Sequence, residues 1–475
     1  MKRVLIFILL LALLALPLTA SAENTYKTYF YDVWDDPIAS PDGYDVERTL
    51  SGKTLGIGDF SMPQDLFVYQ GRVYLLDSGN QRIIVLDQNY QVVDQIREFR
   101  RGEETVLMHN EASGLFIKDD LLYLADTKNE RILVSDLHGN IQKEYTRPET
   151  DLISDTAGFK PKKVLLDSSD IIYVLCEGVN VGAVMLDTDN TFLGFYGANR
   201  ISTTMELLSE MFWRAISTKE QQAQMKKYHP VEYNSFAIDE NDFVYTVTLF
   251  NEGTAEIKKL NPMGNNIFDE ELTFGDLKSG PEIGYTEFVD ICVSDKGYIT
   301  AVARNSGKIF QYDRDGYTLM IFGGVGDQSG TYGIVSAIEV FNEDLLVLDS
   351  SKNTVTVLRP THYTELLHNA LDLYEKGLYE ESVQPWQEVL RLNSNMQFAY
   401  SAIAKSQVLL GDYKGAMENY RIAYDMEGYS EAKTYRRQEL LREHFAAVAI
   451  GFILLCVALY VLVKIREKKK RGRQT

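Results

Sequence analysis

The stretch Val73–Asp87, VYLLDSGNQRIIVLD, sets two short apolar runs around a polar Asp77-Ser-Gly-Asn80 turn, the signature of a β-hairpin. Recurrence gives it weight. Leu122–Asp136 reads LYLADTKNERILVSD, with Asp126, Asn129 and Arg131 in the places of Asp77, Asn80 and Arg82. Leu345–Leu358 reads LLVLDSSKNTVTVL, with Asp349 again at the turn. Weaker copies run over Ile172–Asp187, Val244–Leu260 and Tyr298–Asp313. The six landmarks Asp77, Asp126, Cys176, Thr248, Val302 and Asp349 are spaced 49, 50, 72, 54 and 47 residues apart. An apolar strand precedes each hairpin, and in the first five copies another follows it, as at Gln91–Gln95 and Thr191–Tyr196. Four strands per copy and six copies predict a mainly β chain whose repeats are the blades of a six-bladed β-propeller.

VYLLDSGNQRI and LYLADTKNERI resemble the core of the NHL repeat, a family that folds as a six-bladed propeller. The resemblance covers roughly residues 24–359 and is strong in the first, second and sixth copies. The sixth copy ends at Leu358-Arg359-Pro360 without a fourth strand, and closure removes exposed sheet edges. The aromatic run Thr28–Val33 is therefore expected to complete the last blade, with Trp34 packed at that seam. The turn Asp and Asn residues are expected to bond nearby backbone N–H groups. Arg82 and Arg131 fit a link between blades as well as a binding role. Asn80 and Asn129 are also candidate binding residues, because their turns lie on the face that carries the blade-to-blade connections.

The interval of 72 residues holds an insertion, residues 198–230. Thr203-x-x-Glu206 and Ser217-x-x-Glu220 match capping boxes, and Met205, Leu208, Met211, Phe212 and Ile216 recur at helical spacing. Two short helices are predicted on the connection face, with Phe212 and Trp213 as candidate binding residues or helix-packing residues. After Pro360 the pattern becomes helical. LYEKGLYEESVQPWQEVLR and VLLGDYKGAMENYRIAYD align with Gly377 on Gly411, Ser382 on Ala416, Trp386 on Tyr420 and Val389 on Ala423, each offset by 34 residues. This resembles two tetratricopeptide repeats, with Ser382 departing from the usual Ala and Ser394 from the usual Pro. Tyr374, Glu375 and Lys405, on the first helices, are candidate binding residues, and the Ser430–His444 helix is the expected cap.

Residues 1–22 carry Lys2, Arg3, an apolar run and Ala20-Ser-Ala22, which predicts a cleaved secretory signal peptide. Residues 445–463 hold no charge and span about 28 Å as a helix, enough for a bilayer core. The basic tail, residues 464–475, places itself in the cytoplasm by the positive-inside bias. The expected order is signal peptide 1–22, propeller 23–360, helical segment 361–444, transmembrane helix 445–463 and tail. The formal charge is −20; Lys2 and Arg3 contribute +2 and the tail +6, so the remainder carries −28, which argues against nucleic acid as a partner. Cys176 and Cys292 fall in non-neighbouring blades and are expected to be free and buried.

No nucleophile–base set, HExxH, Walker loop or zinc spacing occurs, and the six histidines are scattered. No cofactor and no metal site is predicted. The favoured reading is a single-pass, extracytoplasmic binding or scaffold protein with a protein partner, and a small-molecule or glycan ligand as a further option. The combination of segments resembles proteins of Gram-positive bacteria found near sugar-uptake ABC transporters, which implies an accessory role at a membrane transporter complex. The alternative is a metal-dependent lactonase-like hydrolase or lyase, since some propellers resembling this one hold a divalent metal with Glu, Asn and Asp. A sensor comes third, because a 12-residue tail is too short for an output domain.

Overall fold

The computed structural model describes residues 26–153, 158–197, 232–248, 257–269, 271–277 and 286–471. Residues 1–22, expected to be a signal peptide, and the insertion, including Phe212 and Trp213, lie outside the described residues. The chain forms two compact units. One ends at Phe30 and resumes over Asp42–Thr361; the other comprises Tyr31–Pro41 and the residues from His362 onward.

The first unit is a six-bladed propeller. Blade one contains Asp65–Tyr69, Arg72–Asp77, Arg82–Leu86 and Val92–Ile96 as an antiparallel meander. Blades two, three and five repeat this plan, starting at Gly114, Pro161 and Phe288. Middle strands such as Arg82–Leu86 are buried at every position, as expected for sheets covered on both faces. Blade four has three strands among the described residues, and a single bridge from Leu260 to Asn266 lies where a fourth would run. There the Asn266 side chain accepts the Lys259 N–H (3.1 Å), taking a place a ladder carbonyl fills elsewhere.

Closure uses the N-terminal region, but not the strand expected from sequence. Tyr44–Ser51 pairs with Thr354–Pro360 as the fourth strand of blade six, in a register running from Ser51–Thr354 to Tyr44–Pro360. Tyr29–Tyr31 instead adds to the outer edge of blade five, where Tyr29 faces Ile321. The physical difference is length. An eight-residue strand matches the seven-residue free edge of blade six, whereas the three-residue aromatic strand satisfies only a short edge. Tyr26 and Tyr44 fasten the region: the Tyr26 hydroxyl donates to the Tyr44 carbonyl (2.7 Å), and the buried Tyr44 ring stacks on Phe322.

The second unit holds six described helices: α1 (His362–Glu375), α2 (Tyr379–Leu392), α3 (Gln397–Leu409), α4 (Tyr413–Ile422), α5 (Met426–Glu443) and α6 (Phe445–Arg471). Gly377 and Gly411, aligned at the 34-residue offset, both take left-handed conformations (φ 76° and 83°) at the turns after α1 and α3, where a side chain would be strained. Ser382 and Ala416 are buried at matching positions of α2 and α4, as are Trp386 and Tyr420. Asp412 and Asp425 cap α4 and α5 by accepting the N–H groups of Gly415 and Gly428. α5 starts at Met426, earlier than expected, and places Ala432 in one cluster with Ala404, Ala416 and Tyr420. Trp34 does not sit at a blade seam. It belongs to this unit, lying edge-on to Tyr424 with ring centroids 4.5 Å apart, while the Val33 N–H bonds Gln397. The Phe445–Arg466 part of α6 is strongly apolar, is unburied and is long enough, at about 33 Å, to cross a membrane.

Candidate functional site

Each strong repeat uses its turn aspartate as a clasp. Asp77 accepts the N–H of Ser61 (2.7 Å), Asp126 that of His109 (2.8 Å) and Asp349 that of Gly333 (2.6 Å), so each hairpin grips the connection that leads into its own blade. Burial opposes ionisation of Asp349, yet bonds from Gly333, Lys352, Ser351 and Ile334 outweigh it and hold its carboxyl below the ordinary range. Asn80 and Asn129 donate to the same aspartates (2.9 and 2.8 Å). Their amides are thus engaged in the turn. Arg82 pairs with Asp77 at 2.7 Å and donates to the carbonyls of Ile57, Gly58 and Asp59. Arg131 pairs with Asp126 and Glu144. The next residue reaches the following blade: Ser78 donates to the Ala112 carbonyl and Thr127 to that of Pro161. The repeated motif therefore ties hairpin, incoming connection and next blade together.

The charged centre of the propeller was not singled out from sequence. One ladder position recurs in all six innermost strands and is filled by Asp65, Gly114, Lys163, Ser235, Asp290 and Ala337. The Lys163 ammonium of blade three lies 2.6 Å from Asp65 of blade one and 3.3 Å from Asp290 of blade five. Ser235 of blade four donates to Asp290 (2.5 Å). The second oxygens of the carboxylates accept backbone N–H groups of neighbouring innermost strands, Leu115 to Asp65 (2.7 Å) and Ile338 to Asp290 (2.9 Å). Innermost strands have one unpaired edge, so these carboxylates satisfy N–H groups that no strand can reach.

Burial pushes the Asp65 carboxyl up to about 6, with Lys163 pulling it down and Asp290 adding to the rise. Burial works against the Lys163 ammonium, but Asp290 and Asp65 outweigh it and leave its pKa above the usual lysine value. Glu339, in the innermost strand of blade six, is raised to about 8 by burial first, then by Asp290 and Asp65; its own neighbour Val340 offers an N–H at 3.0 Å. The centre thus sets the Lys163 ammonium between two carboxylates, beside a Glu339 whose charged form is disfavoured. Among the described residues, no group of three His, Cys, Asp or Glu side chains is placed to hold a metal ion. Cys176 and Cys292 are both free and buried, and burial raises both thiols, the first to about 12.

In the helical unit the structure brings Tyr374 and Lys405 together. The Lys405 ammonium lies 5.4 Å from the Tyr374 ring centre and 5.3 Å from that of Tyr379. Glu375 is exposed at the end of α1.

No protein-family model matches the sequence, and no curated protein matches it. Among solved structures, the chain is similar to a virginiamycin B lyase from Staphylococcus aureus, with 10% identity, a TM-score of 0.42 and coverage of 66% of this chain and 99% of that one. It is also similar to a PQQ-bound aldose sugar dehydrogenase from Streptomyces coelicolor, with 11% identity, a TM-score of 0.39 and coverage of 68% and 100%. An extracellular domain from B. thetaiotaomicron shares 12% identity at a TM-score of 0.39, over 71% of this chain and 38% of that one. Likeness this distant concerns the propeller fold, and any activity must be argued from this chain's own residues.

Proposed function

We propose that the chain is a membrane-tethered extracytoplasmic binding or scaffold protein, accessory to a sugar ABC transporter or another membrane complex. The carrying observation is α6, an unburied apolar helix that follows the helical unit after a single residue, His444. The basic residues after Val463 orient its C-terminal end toward the cytoplasm, which leaves the propeller and helices α1–α5 outside. The Asp–Asn–Arg clasps support reading the blades as NHL-like. The paired glycines and buried positions at the 34-residue offset support reading α1–α4 as tetratricopeptide-like. Binding rather than catalysis is favoured because the central charges are spent on one another and on backbone edges. The partner surface includes the 198–230 insertion, with Tyr374 and Lys405 as the next candidates.

A membrane-impermeant cross-linker applied to intact cells tests topology and binding together. The expected result is a discrete cross-linked membrane protein with the wild-type chain and its loss when residues 198–230 are replaced by a Gly/Ser linker, at matched folding. An unlabelled propeller would overturn the topology. Equal capture by both chains would remove the insertion from the partner surface.

A further inference from the structure

The turns between third and fourth strands lie on the propeller face opposite the clasps. Five blades build this turn from their own chain, and each needs one residue with a left-handed backbone: Tyr90, Gly139, Asn190, Gly264 and Gly316, with φ between 60° and 94°. Glycine and asparagine take this conformation readily, but a ring-bearing side chain does so only under constraint. Blade one therefore departs from the rule of its own repeat.

Tyr90 lines a pocket of about 260 Å3 together with Arg48, Gln88, Asn89, Asn342, Asp344 and Arg359. The pocket spans the seam where Tyr44–Ser51 closes blade six against blade one. The buried Tyr90 donates to Asp344 (3.0 Å), and the Arg48 guanidinium lies 5.5 Å from its ring centre. Glu47 holds both arginines, Arg48 at 2.7 Å and Arg359 at 2.5 Å, and Arg359 also reaches Asp344 at 3.3 Å. Both guanidinium groups remain about half exposed, 45% and 56%. Edge-on packing of Tyr90 on Phe341 explains the ring as seam filler. Around the ring stand two guanidinium groups held by acids and the exposed side-chain amides of Gln88, Asn89 and Asn342, all open to an incoming ligand.

We propose that this pocket binds a small hydroxylated anion, a carboxylate or phosphate carried on a polyol such as one sugar ring. Its two arginines are balanced by Asp344 and by Glu47, which makes a near-neutral patch on a protein whose formal charge is −20. Guanidinium groups pre-positioned by acids present parallel N–H donors that fit carboxylate or phosphate oxygens. The exposed amides supply donors and acceptors for hydroxyl groups, and the Tyr90 ring supplies a floor. The volume lies just below the roughly 300–1,000 Å3 of drug-sized sites, which fits a single ring. The site shares no residue with the partner surface proposed above, so either can stand alone. A ligand here would touch both sides of the seam and so stabilise closure.

Calorimetric titration and melting of the full-length protein in detergent, at low ionic strength, test this with D-glucuronate, glycerol phosphate, D-glucose and inorganic phosphate. Saturable binding of glucuronate or glycerol phosphate with a raised Tm is expected, and which of the two binds tighter decides between carboxylate and phosphate. D-glucose should bind at least ten-fold more weakly. Arg48→Ala should weaken binding at least ten-fold; should that variant fail to fold, Gln88→Ala/Asn89→Ala, at two exposed turn positions, should lower affinity with the unliganded Tm unchanged. The proposal is overturned if neither hydroxylated anion binds, if inorganic phosphate binds as tightly as both, or if the folded variants bind like the wild type.

Discussion

At the scale of single residues, the clasp aspartates differ in how much they are asked to hold. The Arg82 side chain is 3% exposed and, among the described residues, its one carboxylate partner is Asp77, whereas Arg131 is 16% exposed and keeps Glu144 as a second partner. Removing one member of a buried pair leaves an uncompensated charge, at a cost of about 3–5 kcal/mol. Asp77→Ala is therefore expected to lose stability in that range, moderated by the three carbonyls that still bond Arg82. Asp126→Ala should lose clearly less. Chemical denaturation of the two variants checks the order; equal losses would mean that the shared backbone bond, not the ion pair, dominates. The same reasoning explains Asn80 and Asn129, whose amides bond their aspartates rather than pointing outward.

At the scale of elements, the seam of the propeller is the strand Tyr44–Ser51. It brings Leu50 into one apolar cluster with Leu75 and Ile84 of blade one and Leu346 and Val357 of blade six. Replacing residues 44–51 with a Gly/Ser linker removes its ladder to Thr354–Pro360 and uncovers that cluster, so cooperative melting of the propeller should be lost. Replacing residues 29–31, which pair with blade five through a single register position, should lower Tm by only a few degrees, in line with roughly 1 kcal/mol. If the second change is as damaging as the first, the assignment of the closing strand is wrong.

At the scale of the whole propeller, the charges at its centre join blades one, three, five and six. Glu339, at about 8, sits well above the ordinary 4.5 of a glutamate because burial and the nearby Asp290 and Asp65 disfavour its charge. Between pH 4.5 and 8 the folded protein keeps a proton that the unfolded chain releases, so this group's contribution to stability falls as pH rises through that window. Asp65, at about 6, acts in the same direction over a lower range. Glu339→Gln cannot ionise, so its denaturation midpoint should decline less between pH 6 and 9 than that of the wild type. Parallel pH profiles would show that Glu339 is not the titrating group.

How much was legible beforehand follows from the range of the interactions. Strands and hairpins were readable because each depends on local alternation and turn chemistry, and blade number followed from counting landmarks such as Asp77, Asp126 and Asp349. The helical turns were readable for the same reason, since Gly377 and Gly411 answer a local backbone demand. The chain by itself thus determined six blades, a helical segment and an apolar C-terminal helix. Tertiary structure alone decided which N-terminal strand closes blade six, because Thr28–Val33 and Tyr44–Ser51 are both plausible strands and only the length of the free edge selects between them. It also decided that Trp34 packs on Tyr424, in the turn between α4 and α5. The sequence held one overlooked sign of the centre: Asp65, Lys163 and Asp290 are charged positions at one ladder register of otherwise apolar strands. Their meeting, like that of Arg48, Tyr90 and Arg359 at the seam, depends on residues tens to hundreds of positions apart, and only closure of the ring brings them within reach.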